Sequence, residues 1–126
     1  MTATDRALNL ARAAAIAAVD KLATDIVALD VSERLAITDI FLIATGASDR
    51  QVQAIVEAVE ERLARDLDAK PARREGERER RWVLLDYVDV VIHVQHSEER
   101  EFYGLERLWK DCPAIPLDDV IKAGRA

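Results

Sequence analysis

The stretch at residues 81–94, RWVLLDYVDVVIHV, constrains the fold more than any other part of the chain. Two apolar runs flank a short acidic segment, and their closeness in sequence predicts an antiparallel hairpin. With Tyr87 and Val88 as the loop, Asp86 lies opposite Asp89, Leu84 opposite Val91, and Trp82 opposite His93. Those six share one face, graded from aromatic at the base to acidic at the tip. The other face carries Val83, Leu85, Val90 and Ile92, is wholly apolar, and must be the core side. Directly opposed aspartates repel by up to roughly 1 kcal/mol at a solvated site. A metal ion, an arginine of the preceding loop or a cationic partner would offset that, and a wider turn would splay the two apart. Val88 disfavours the positive φ of a two-residue primed turn, which supports the wider loop.

A hairpin with one apolar face needs a cover, and the flanking sequence supplies it. Residues 4–23 are alanine-rich without glycine or proline; Thr4 is the expected N-cap, and Leu8, Ala11, Ala15, Val19 and Leu22 form a helical stripe. Residues 25–31 alternate, with Val27, Leu29 and Val31 facing one way, as in a strand. The run 39–46, DIFLIATG, is continuously apolar and suits a strand buried on both faces. Ser48 then caps a helix over 49–67, whose stripe is Val52, Ile55, Val56, Val59 and Leu63. Residues 68–81 are rich in arginine and glutamate; they suit a solvated loop, or an edge strand up to Gly76. A third helix is expected over 97–111, capped by Ser97, mildly weakened by Gly104, with Phe102, Leu105, Leu108 and Trp109 on its apolar side. Pro113 and Pro116 end regular structure, leaving 113–126 as a tail or frayed helix beyond a single domain at 1–112. The expected fold class is α/β, a single mixed sheet of about five strands flanked by three main helices.

Composition narrows function. The chain has 126 residues, half of them hydrophobic, which suits one domain with a real core. A formal net charge of −6 argues against bulk nucleic-acid binding and favours a basic partner. One cysteine, Cys112, fits a reducing compartment, and neither a membrane span nor a secretory signal is visible, so the cytoplasm is expected.

The chemistry-bearing residues divide between two readings. In the first, Asp86 and Asp89, with Asp39 near, bind a divalent cation in a nucleotidyl- or phosphotransferase. No phosphate loop accompanies them, and ATGASDR reads more simply as a strand-to-helix turn. His93 and His96 are three apart, on opposite faces of a strand, so zinc ligation by the pair is disfavoured. In the second reading, aromatic and aliphatic residues ringed by acids make a recognition surface, unless helix 97–111 covers it and Trp82 is core. No cofactor or metal and no catalysis is expected.

In order along the chain, DIVALDV, ITDIFLIATGASDRQVQAIVEAV, REGE, RWVLLDYVDVVIHV and EEREFYGLERLW resemble the ribosomal silencing factors of bacteria and organelles, the RsfS or Iojap family. The resemblance spans about residues 8–111. It implies a sheet with nucleotidyltransferase-like topology but no transferase activity. It also implies docking on ribosomal protein fourteen of the large subunit, where the factor blocks joining of the small subunit when nutrients fail. Trp82, Leu84, Asp86, Tyr87 and Asp89 match the family's hairpin, and Arg100 and Tyr103 its following helix. These seven are the expected docking residues, with direct rRNA contact minor or absent. Family members self-associate, so a homodimer through the first helix or a sheet edge is a further expectation. The family often has glycine at the Val88 position, and the arginine-rich loop and tail exceed its common pattern.

Overall fold

Alanine decides how the first layer packs. In the computed structural model, which describes residues 3–125 and side chains through Lys122, the Thr4 hydroxyl accepts the Ala7 N–H at 3.1 Å and starts α1, Asp5–Asp20. Its buried side is Ala7, Leu10, Ala11, Ala14, Ala15, Ala17, Ala18 and Val19, small enough to let the helix lie close on its neighbours. Leu22, expected on that stripe, falls past the helix end in left-handed backbone (φ +63) and is exposed. The strands β1, Thr24–Asp30, and β2, Ile40–Gly46, follow. Ser48 caps α2, Asp49–Leu67, by accepting the Gln51 N–H at 3.1 Å, and Val52, Ile55, Val56, Val59 and Leu63 are all buried. Next come β3, Arg73–Glu75; β4, Trp82–Asp86; and β5, Val90–His96.

One mixed sheet of six strands results, in the order β3-β4-β5-β2-β1-β6, where β6 is Ala114–Ile115. β2 and β5 run parallel at its centre and every other pair is antiparallel. Ile40, Leu42, Ala44, Val83, Leu85, Ile92 and Val94 meet α1 and α2 in the main core. Val27, Leu29, Val31 and Phe41 point the other way, into a smaller cluster with Leu35, Trp109 and Cys112.

Two expectations about the C-terminal third are corrected. The helix expected over 97–111 is broken: α3 is Ser97–Tyr103 and α4 is Leu105–Leu108. Gly104 divides them at φ +53, its N–H bonded to the Arg100 carbonyl at 3.1 Å, a left-handed cap that ends rather than weakens the helix. Phe102 and Leu108, expected on the buried side, are 80% and 70% exposed as a result. The N-cap is His96, not Ser97: the His96 Nδ1 accepts the Glu98 N–H at 3.1 Å. The segment after Cys112, expected as a tail or frayed helix, continues the fold with a strand and a packed helix. β6, Ala114–Ile115, pairs with β1, and the Pro113 carbonyl accepts the Asp30 N–H at 2.9 Å. α5, Asp118–Arg125, then packs on α1, with Leu117 and Val120 buried in the main core. This extra strand raises the count from about five to six.

Candidate docking face

The hairpin register is corrected as well. Trp82 pairs with Gln95, Leu84 with His93 and Asp86 with Val91. Tyr87 donates its N–H to the Val90 carbonyl at 2.9 Å, so the two loop residues are Val88 and Asp89, one position later than expected. Val88 does adopt the disfavoured conformation, at φ +71. The slip places Tyr87 on the core face, only 6% exposed. Burying a tyrosine ring removes roughly 150 Å² or more from water, worth about 4 kcal/mol. Left-handed backbone at Val88 costs about 1–2 kcal/mol, and the Tyr87 hydroxyl, buried without a hydrogen-bond partner, costs about 1–3 kcal/mol more, so ring burial roughly balances both. The Asp86 carboxylate accepts the Val88 N–H at 2.8 Å and braces the turn. The Asp89 carbonyl accepts from the Asp39 and Ile40 N–H groups, tying the turn to β2.

A slip of two residues leaves the faces unchanged, because side chains alternate with period two. Trp82, Leu84 and Asp86 therefore still share the face turned away from α1 and α2. The aspartates are held apart. Asp86 lies 3.7 Å from the Arg73 guanidinium, Asp89 lies 3.9 Å from Arg6, and Asp39 accepts the Thr4 N–H at 3.0 Å. Among the described residues, no three His, Cys, Asp or Glu side chains gather where a metal ion could be held.

Aromatic rings run across this face in unbroken contact. Trp109 meets Phe41 at 5.3 Å between centroids, and Phe41 meets His93 at 5.0 Å. His93 meets Trp82 at 6.0 Å, Trp82 meets Tyr103 at 5.0 Å, and Tyr103 meets Phe102 at 5.0 Å. One hydrogen bond sets the centre of the string: the Trp82 Nε1–H donates to His93 Nδ1 at 3.1 Å. It runs diagonally, since the direct partner of His93 is Leu84. His93 is 4% exposed, and burial pushes its pKa down to about 4, so the ring is neutral with its proton on Nε2. His96, at the strand end, is occupied as the α3 cap.

The seven expected residues separate into four roles. Trp82, Leu84 and Asp86 stand on the open face as half-buried residues, and Tyr103, 52% exposed, lies against Trp82. Asp89 is at the tip of the turn. Tyr87 is in the core, and burial raises its phenol to about 12. Arg100 is buried. It donates to the Asp25 carbonyl at 2.6 Å and the Thr45 hydroxyl at 2.7 Å, and pairs with Glu106 at 3.2 Å. It is a strut fastening α3 and α4 to β1 and β2 and presents no charge outward.

Sequence reasoning placed Phe102 and Trp109 on one buried helix side and assigned Phe41 no role on this face. The alternation of β2 is the signal that could have found Phe41, since it falls out of phase with Ile40 and Leu42. The arginine-rich segment is also more ordered than a solvated run. Arg74 bonds Glu60 of α2 at 2.6 Å, and Arg81 bonds Glu98 and Glu99 at 2.9 and 2.6 Å. Those carboxylates raise the Arg81 pKa above its ordinary value.

Comparison with known proteins gives a consistent result. The family model described as "Ribosomal silencing factor during starvation" matches residues 4–126. The chain is 44% identical over 110 residues to the ribosomal silencing factor RsfS of Bacillus subtilis, covering 87% of this chain and 92% of that one. A crystal structure of a Chromobacterium violaceum protein superposes with a TM-score of 0.77 at 33% identity, covering 82% of this chain and 85% of that one. One from Bacillus halodurans superposes at 0.74 with 39% identity, covering 90% of this chain and 100% of that one.

Proposed function

Since the chain belongs to the family of ribosomal silencing factors, we propose that it represses translation by occupancy, without a chemical step. In this reading it docks on ribosomal protein fourteen of the large subunit and excludes the small subunit by volume. The observation that carries the reading is the aromatic string on the face opposite α1 and α2, with Tyr103 and Phe102 at its accessible end, half-buried Trp82 beside them and Asp86 at its rim. Large aromatic side chains beside a polar rim are the usual anchors of protein recognition. The acidic balance of the chain suits a basic ribosomal protein and leaves little role for direct rRNA contact. No helix among the described residues is long and apolar enough to cross a membrane; the proposed compartment is the cytoplasm.

Sedimentation with isolated large subunits tests it. The protein co-sediments and prevents joining of small subunits. Trp82→Ala combined with Asp89→Arg weakens binding by roughly thirtyfold or more, the size expected for loss of a buried anchor. Unchanged binding by that variant removes this face from the docking surface.

A further inference from the structure

The open face ends at the sheet edge in a shallow groove of about 220 Å³ lined by Glu75, Trp82 and Leu84. Its geometry follows from register. Glu75 pairs with Leu84 and Arg73 with Asp86 across β3 and β4, and directly paired residues share a face. The row beside the half-buried indole is thus Arg73 and Glu75 on the outer strand, then Asp86 and Leu84 on the next.

Two features define what fits there. First, the indole N–H is already donated to His93, so a partner meets the indole ring and not its N–H. Second, the carboxylates outnumber their cation. The Arg73 guanidinium lies 3.7 Å from Glu75 and 3.7 Å from Asp86, longer than the roughly 2.7–2.9 Å of a charge-assisted hydrogen bond. One loosely held positive charge shared by two negative ones leaves these three groups with a surplus negative charge. An aliphatic floor, an aromatic face and a carboxylate edge together complement a long basic side chain. Its methylenes would lie on Leu84, and its cation would lie against the Trp82 ring and the Glu75 carboxylate.

We propose that the Glu75–Trp82–Leu84 groove seats one arginine or lysine side chain of the docked ribosomal protein. The assignment rests on the docking reading above and adds Glu75, which the seven expected residues do not include.

The test measures binding of the full chain to isolated large subunits across a range of potassium chloride. Glu75→Gln weakens binding roughly five- to tenfold at low salt, and the loss shrinks as salt rises, because screening removes what the carboxylate contributes. Glu75→Lys weakens it further. Trp82→Phe, which keeps a ring while losing the N–H, weakens binding less than Trp82→Leu does, because the ring face and not the N–H meets the cation. Glu75 is exposed, and thermal melts confirm that each variant is folded. Wild-type binding with unaffected Glu75 variants overturns the groove assignment alone. Tighter binding by Glu75→Lys also overturns it, by showing that the groove faces phosphate. If wild type fails to bind large subunits, the docking reading falls and the groove assignment falls with it.

Discussion

Acidification from pH 7 to pH 4 will destabilise this fold by about 3 kcal/mol through His93 alone. The imidazole is enclosed by the sheet, Phe41 and Trp82, and burial holds its pKa near 4 against an ordinary value of 6.5. In the unfolded chain it titrates near the ordinary value. Below pH 6.5 the unfolded state therefore binds a proton that the native state refuses, and stability falls with pH through this window. Each pH unit of separation corresponds to about 1.4 kcal/mol, so about 2 kcal/mol is lost by pH 5 and about 3 by pH 4. The depressed carboxylates Asp30, Asp66, Glu98 and Asp119 begin to contribute only near or below their own ordinary values of 3.8 to 4.5, at the lower end of the window. Urea unfolding of wild type and His93→Asn from pH 7 to pH 4.5 isolates the histidine. Asparagine does not titrate, and its amide oxygen can take over as acceptor for the Trp82 N–H. The variant should lose most of the pH dependence between 6.5 and 4.5, whatever constant offset the substitution introduces. Equal pH dependence in both proteins refutes the reasoning. So does a His93 Cε1 resonance titrating near 6.5 in the folded state.

Three other perturbations follow from the backbone and the buried strut. Val88→Gly removes a β-branched side chain from φ +71 at a 58% exposed position, and should stabilise the protein by about 1 kcal/mol in urea melts. Gly76→Ala should do the opposite, by more than about 2 kcal/mol, since the added Cβ would stand 2.0 Å from the Trp82 carbonyl oxygen at φ +79. Arg100→Ala leaves Thr45, the Asp25 carbonyl and partly exposed Glu106 without their donor. It should cost about 3 kcal/mol in urea melts and weaken subunit binding by releasing α3.

Much of the scaffold was legible because it depends on short-range periodicity. The α2 stripe, its Ser48 cap and the through-buried β2 follow from residues within a few positions of one another. The faces of the hairpin were equally legible, and they survived an error in its register, because a slip of two leaves every side chain on its own side. The family motifs point to the proposed docking region within the chain but do not separate its outward-facing residues from its buried ones. Tyr87 and Arg100 match the same motifs as Trp82 and Tyr103, yet one is in the core and the other is a buried strut.

What the sequence by itself determined was α1, α2, β1, β2 and the β4–β5 hairpin, with the apolar side of each, all consequences of local pattern. Only the tertiary structure decided the rest. The hairpin register came from the balance between Tyr87 burial and Val88 strain, a comparison that requires the helices beneath the sheet. Ala114–Ile115 became a strand because the edge of β1 was open to receive it. The helix expected over 97–111 broke at Gly104, where Arg100 reaches back to β1 and β2. The Trp82–His93 bond formed because pairing Leu84 with His93 sets the indole diagonally across from the imidazole. Each of these outcomes joins residues distant in sequence, and their energies exist only once the chain has brought them together.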